Sequence, residues 1–218
     1  MALVYDTSTS SNSGGAAAAS LTWSHTMAVG SGGILVVAPS YANPSAGLIT
    51  GITYNGVTLT KIDSSIANLG VGTGRGVELW YLLSPATGAN NIVVTASGAT
   101  APLNGGAISL TGASGIGTSA KNSSTSATSL AATTSSGASD IVVGAATCRT
   151  TTFGVGGSQT SRYNTVQAVN FLSWGSTQAG GASVSSTFTQ AGAADNFAII
   201  AVPVTQAAGG TPTNLFFF

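Results

Sequence analysis

The chain has 218 residues, enough for one large domain or two small ones, and only 5% of them are charged. The formal net charge is zero and the five basic residues are scattered along the chain, which argues against a nucleic-acid partner. No basic start precedes an apolar N-terminal segment, and no apolar run approaches a membrane span, so we expect neither a signal peptide nor a membrane partner. We expect a surface built from hydroxyl, amide and backbone groups.

The residue usage favours strands over helices. Glu occurs once and Lys twice, whereas Gly occurs 30 times, and the apolar residues form short runs rich in Val, Ile and Thr. We therefore predict an all-β fold, an antiparallel two-sheet β-sandwich of jelly-roll type with about ten strands. A single domain is expected over residues 1–205, followed by a flexible linker and an apolar tail over 206–218.

Two segments in the first third of the chain have clear strand patterns. In SLTWSHTMAV, apolar residues and one histidine alternate with Ser and Thr, which predicts a strand with one buried face made of Leu21, Trp23, His25 and Met27. In GITYNGVTLTKI, Asn55-Gly56 is the preferred pair for a type I′ hairpin turn. That turn pairs Tyr54 with Val57 and Ile52 with Leu59, and it places these four side chains on one buried face.

Later segments complete the predicted sandwich. VELWYLL and FAIIAVPV are apolar on both faces apart from Glu78, so they are expected inside the sheets. The other strand candidates are GILVVAPS, NIVVTAS, GAISLTG, DIVVGAAT and ASVSSTFT. Residues 112–139 are almost entirely Gly, Ala, Ser and Thr, and we interpret them as edge strands rather than disorder. A faint echo between residues 20–40 and 128–148 is read as two similar hairpins rather than a duplication.

These segments, in this order, resemble a module of bacterial extracellular and phage-encoded proteins. The features that carry the resemblance are the SHT strand, the TYNGVTLT hairpin and the pair VELWYLLSPATG and NNIVVTASG, within residues 20 to 205. The resemblance implies a β-sandwich used for display, adhesion or assembly, without a catalytic motif. The single copy and the LFFF ending differ from the large multidomain members.

No arrangement of side chains indicates an enzyme. His25 is the only histidine and shares its predicted face with apolar residues, so we interpret it as a core or rim residue rather than a catalytic base. Glu78 is the only carboxylate inside a strong strand, and we expect it to pair with Lys61 or Arg75. Cys148 is the only cysteine and is read as a small buried hydrophobe. We predict no catalytic residue, metal or cofactor.

Aromatic residues in loop-like or strand-edge sequence offer an alternative function. If Tyr41, Tyr163 and Trp174 are exposed, they could contact a glycan, whereas the competing interpretation makes them partly buried anchors. The sequence favours neither reading. A glycan therefore stays a candidate partner.

The segment TPTNLFFF is the strongest functional signal. We predict that its large apolar residues bind a partner by strand addition or in a pocket, with self-capping and disorder as alternatives: Leu215, Phe216, Phe217 and Phe218. The first hypothesis is a non-enzymatic virion protein, a capsid decoration or cement protein that contacts its own copies and a capsid protein. The second is a carbohydrate-binding or adhesive module of a phage fibre or bacterial surface.

Overall fold

A computed structural model describes residues 1–42, 47–67, 74–99, 101–149, 152–167 and 171–208. These residues form 18 strands in four sheets, all strand pairs are antiparallel, and no helix occurs among them. The all-β prediction is confirmed. The predicted number of strands was too low: we expected about ten strands in two sheets, and the structure has 18 strands in four sheets among the described residues. Long strands of Ser, Thr and Gly, such as β1 (Val4–Ala17), lack the apolar alternation that would have revealed them.

The first half of the chain forms an inner sheet A and an outer sheet B. Sheet A has the order β1-β9-β3-β7-β6 and sheet B the order β2-β8-β4-β5. Their strands, after β1, are β2 (Ser20–Met27), β3 (Gly33–Ala42), β4 (Ile49–Tyr54), β5 (Val57–Thr58), β6 (Thr60–Ala67), β7 (Arg75–Leu83), β8 (Gly88–Ala96) and β9 (Pro102–Thr111).

The second half forms an inner sheet C and an outer sheet D. Sheet C has the order β10-β18-β13-β16-β15, with β11 also paired to β18, and sheet D has the order β12-β17-β14. Their strands are β10 (Ala113–Ile116), β11 (Ala120–Ala127), β12 (Ser129–Thr134), β13 (Ile141–Cys148), β14 (Phe153–Val155), β15 (Thr160–Gln167), β16 (Phe171–Ala179), β17 (Val184–Gln190) and β18 (Asp195–Gln206). The segment 112–139 supplies edge strands, as predicted.

The two halves repeat one topology. Strand β1 pairs β9, β2 pairs β8, and β3 lies between β9 and β7, while β11 pairs β18, β12 pairs β17, and β13 lies between β18 and β16. A register shift falls between Lys61 and Asp63 in β6, and another between Ser161 and Tyr163 in the corresponding strand β15. The echo noticed in the sequence therefore marks corresponding consecutive strands, β2–β3 and β12–β13, of two sandwiches with the same strand order. They are not the expected hairpins, because the two strands of each pair lie in different sheets.

Sheets A and C pack against each other and produce four layers in the order B, A, C, D. Ile34 and Val36 of β3 join a central core with Val143 and Ile200 of sheet C, whereas Leu35 of β3 faces sheet B. A third core lies between sheets C and D. Because both inner sheets are covered on both faces, VELWYLL and FAIIAVPV are apolar on both faces apart from Glu78, and both lie inside their sheets as predicted.

The contacts between the inner sheets are reciprocal. Strand β6 lies beside β11, where the Ser65 hydroxyl donates to Asn122 O at 2.8 Å. On the opposite side β15 lies beside β1, where the Arg162 guanidinium stacks over the Tyr5 ring at 3.7 Å. Since β6 corresponds to β15 and β11 to β1, the halves contact each other as two subunits of a twofold dimer do.

The predicted hairpin forms. Asn55 and Gly56 have φ values of 49° and 77°, as a type I′ turn requires, and Tyr54 pairs with Val57. Ile52 and Leu59 are joined by a 2.9 Å backbone hydrogen bond. The predicted burial is wrong for Val57, which is 51% exposed, because β5 has only two residues and projects at the end of sheet B.

Candidate functional site

The carboxylate of Glu78 is fully buried in the first half of the chain. Lys61 Nζ lies 2.9 Å from its Oε2, the Trp80 indole N–H donates to Oε2 at 2.9 Å, and the Tyr41 hydroxyl donates to Oε1 at 3.1 Å. Burial and the neighbouring carboxylate raise the pKa of Tyr41, so this hydroxyl keeps its proton. The predicted pairing with Lys61 is confirmed. Three donors surround a carboxylate with no exposed surface, which leaves no room for a substrate.

Arg75, the other predicted partner of Glu78, has different contacts. Its guanidinium donates to Gly74 O at 2.7 Å and lies 5.3 Å from the ring centroid of Phe171. Burial, with a smaller contribution from nearby Arg149, lowers the pKa of Arg75 to about 10, so the side chain remains charged at neutral pH. This residue joins the first half of the chain to the second.

His25 lies in the core between sheets A and B, as its strand pattern predicted. It is 1% exposed, and its Nδ1 is 2.9 Å from the hydroxyl of Thr9, which also accepts a hydrogen bond from the Trp23 indole at 3.0 Å. Burial lowers the pKa of His25 to about 4, although nearby Asp6 opposes the shift. The imidazole is therefore neutral at physiological pH, and it orients β1 against β2.

The stability of the protein should depend on pH through His25. The pKa of His25 is about 6.5 in an unfolded chain and about 4 in the fold, so between these pH values the unfolded chain takes up a proton that the folded protein does not. The free energy of unfolding is therefore at its full value above pH 6.5 and decreases as the pH falls towards 4. We expect a loss of about 2.5 kcal/mol between about pH 7 and pH 4.5. Urea unfolding across this window measures it, with His25→Gln as the control. An equally steep pH dependence in His25→Gln would contradict the assignment to His25.

The three aromatic residues considered for glycan contact do not form a surface platform. Tyr41 is fully buried and Tyr163 is 7% exposed, whereas Trp174 is half-buried and donates from its indole to Ser161 Oγ at 2.7 Å. The loop-like sequence around Tyr41 indicated exposure, but this residue lies within β3, one position before its end, and its hydroxyl points towards Glu78. Only Trp174 retains surface for a ligand. The tail residues Leu215–Phe218 lie outside the described residues.

All ten Lys, Arg, Asp and Glu side chains are engaged within the fold. Beyond the contacts already described, Lys121 pairs with Asp63 at 2.7 Å and Arg149 lies 3.9 Å from Asp195. Asp6 accepts from the Ser109 hydroxyl, and Asp140 accepts from the backbone N–H of Gly137. The charged groups of this chain therefore hold strands and loops together.

Two shallow grooves are present at the edges of the inner sheets. The larger, about 420 Å³, lies at the seam between β6 and β11 and is lined by Ser64, Ser65, Ile66, Lys121, Asn122 and Ser123. The smaller, about 260 Å³, is lined by residues of β13, β15, β16 and the turn at Ser158. The first is mainly hydroxyl and amide in character. Sequence reasoning missed it because its two walls are more than 50 residues apart, and no local pattern connects them.

Three negative findings concern metal sites, membrane spans and related proteins. Among the described residues, no group of three or more His, Cys, Asp or Glu side chains is placed to hold a metal ion. Within the same residues, no helix is long and apolar enough to cross a membrane. No protein-family model, curated protein or solved structure matches the chain.

Proposed function

We propose that this chain is a non-enzymatic structural protein of a virion, a decoration or cement protein that attaches to a symmetric lattice. The observation that carries the proposal is that each of the ten charged side chains has an interaction partner within the fold, including those in the surface ion pairs. The rest of the surface is rich in Ser, Thr, Asn and Gly, which suits close packing against identical neighbours and a capsid surface. Each half serves as a sandwich of jelly-roll type, and the stacked pair acts as one rigid block.

The apolar tail is the proposed anchor of this block. Burying Leu215 and the three Phe side chains would contribute up to about 1.5–3 kcal/mol each, before the cost of ordering the segment. Repetition of the same contact on a lattice adds avidity. The last described strand, β18, ends at Gln206, and the Ala207 N–H donates to Gly112 O at 2.8 Å, so the chain is held to the sandwich before the tail begins.

Removing the tail should abolish attachment without unfolding the protein. We expect a chain ending at Ala208 to keep the circular dichroism spectrum and melting temperature of the full chain while losing higher assembly. Size-exclusion chromatography with light scattering measures this, and a full-length control with Phe216, Phe217 and Phe218 replaced by Ser separates side-chain binding from chain length. Identical assembly of all three proteins would overturn the anchor.

A second function is favoured by the groove between β6 and β11. Its hydroxyl and amide side chains are the groups that hydrogen-bond sugars, which fits a carbohydrate-binding or adhesive module outside the bacterial cell. Trp174 lies on the surface of the other half and is a separate candidate. If the tail proves dispensable for assembly, binding of the protein to a glycan array would favour this function over the first.

A further inference from the structure

The edges of the inner sheets are protected against pairing with other strands. Each long edge strand there has at least one charged side chain and a register shift, and both features oppose strand addition. The charged residues are Asp6 in β1, Lys61 and Asp63 in β6, Lys121 in β11, and Arg162 in β15. The register shifts occur in the pairs β1–β9, β6–β7, β11–β18 and β15–β16.

Two edges of the outer sheets lack this protection. Strands β5 and β14 are only two and three residues long, and short length is itself protective. By contrast, β2 and β12 have eight and six residues, contain no Asp, Glu, Lys, Arg or Pro, and pair with their neighbours without a register shift. These two strands occupy corresponding positions in the two halves.

The hydrogen-bonding direction in β2 follows from its ladder with β8. The Ala96 N–H donates to Ala19 O at 2.9 Å, so residues 21, 23, 25 and 27 form the hydrogen-bonded pairs with β8. The backbone groups of the intervening residues therefore point away from the sheet, and their side chains are exposed: Ser20, Thr22, Ser24 and Thr26. Asp6 Oδ2 accepts from the next outward N–H, that of Ala28, at 3.2 Å. Asp6 thus covers the outward backbone only at Ala28, one residue beyond the end of β2.

Strand β12 is already partly covered. The Gln190 N–H donates to Thr128 O at 2.8 Å, so residue 131 points outward by the same alternation. Ala131 O accepts a hydrogen bond from the Asn122 side chain at 3.1 Å, and this side chain lies across the edge of β12. Within the described residues, no corresponding contact reaches the outward backbone groups of Ser20, Thr22, Ser24 or Thr26. The edge of β2 is therefore the open one.

We propose that the edge of β2 is a strand-addition surface at which a second copy of this chain pairs its own β2 antiparallel. A twofold axis beside Trp23 aligns the outward residues as the hydrogen-bonded pairs Ser20–Thr26 and Thr22–Ser24. Ser and Thr side chains face each other on the exposed side, where such pairs are favourable, and no like charges meet. The two copies of sheet B become one continuous sheet. The inference rests on the proposed assembly role and names the contact between copies.

The test compares oligomeric state in full-length variants by size-exclusion chromatography with light scattering. Ser24→Pro removes an outward N–H without touching the ladder to β8, and we expect it to convert the dimer to monomer. Ser24→Ala keeps the N–H and should remain dimeric, as should Thr133→Pro, which makes the same change at the edge of β12. If Ser24→Pro fails to fold, the pair Thr22→Lys and Ser24→Lys places like charges across the axis and should also give monomer.

Hydrogen exchange identifies what covers the edge. The amides of Thr22, Ser24 and Thr26 should be protected in the wild-type dimer and exchange fast in the Lys pair variant. A monomeric wild type, or a dimer that survives Ser24→Pro, overturns the inference. Protection of these amides in a monomer means that the chain covers this edge itself, and it also overturns the inference. Replacing the three tail Phe residues by Ser leaves the β2 dimer intact, so failure of the tail anchor and failure of the edge contact give different results.

Discussion

Glu78→Ala should lower the free energy of unfolding by about 3–5 kcal/mol, one of the two largest effects expected for this protein. The substitution leaves the Tyr41 hydroxyl and the Trp80 indole N–H, 3.1 and 2.9 Å from the carboxylate, without their acceptor in a closed core. It also leaves a cavity in the space of the lost side chain. Lys61 is 36% exposed and can turn to water, so most of the cost comes from the two aromatic donors.

Urea denaturation of matched variants separates these contributions. Glu78→Gln keeps one acceptor oxygen and the side-chain volume, so we expect a smaller loss than for Glu78→Ala. Lys61→Met removes the cation but retains the aliphatic stem, and it leaves the carboxylate with its two aromatic donors. A loss below about 1 kcal/mol for Glu78→Ala would show that the cluster is not a structural centre of the first sandwich.

Gly106→Ala should destabilise the protein by at least about 3 kcal/mol. Gly106 of sheet A and Gly175 of sheet C both lie against the Cε1 and Cζ atoms of the Tyr163 ring, which is in the central core. A Cβ atom on either glycine would overlap ring atoms, and the ring has no free space to move into because both sheets hold it. The overlap therefore disturbs the packing between the two halves.

A double-mutant cycle with Tyr163→Ala identifies the ring as the cause. Removing the ring makes room for the new methyl group, so Gly106→Ala should cost far less in the Tyr163→Ala background, with a coupling of about 1–3 kcal/mol. Gly51→Ala is the control, because no heavy atom lies near the position that a methyl group on this strand residue would occupy. Simple additivity of Gly106→Ala and Tyr163→Ala would contradict the proposed clash.

Local features of the fold were predictable from the sequence because their causes are local. The turn at Asn55-Gly56 needs two residues with positive φ, and the burial of His25 follows from alternation within a single strand. The Lys61 partner of Glu78 was also predictable, since few cations exist in the chain. These predictions required no knowledge of which sheets meet.

Features that depend on the stacking of the two sandwiches could not be predicted. The burial of Tyr41 depends on a contact with Glu78, 37 residues away, and the burial of Tyr163 depends on glycines from two different sheets. The strand count was underestimated because edge strands of Ser, Thr and Gly lack an apolar face. In GGAISLTG, the sequence does not distinguish Gly106, which makes room for the Tyr163 ring, from a glycine in an ordinary turn.

The repeated architecture also sets an order of events during synthesis. All strands of sheets A and B precede Gly112, so the first sandwich can close while the second is still being translated. At typical elongation rates the remaining residues take about 5–20 s to appear. Throughout that interval the face of sheet A that carries Ile34, Val36 and Leu110 has no covering sheet. Nascent chains in this state are prone to associate, and a chaperone that binds apolar sheet surface would protect them until sheet C arrives.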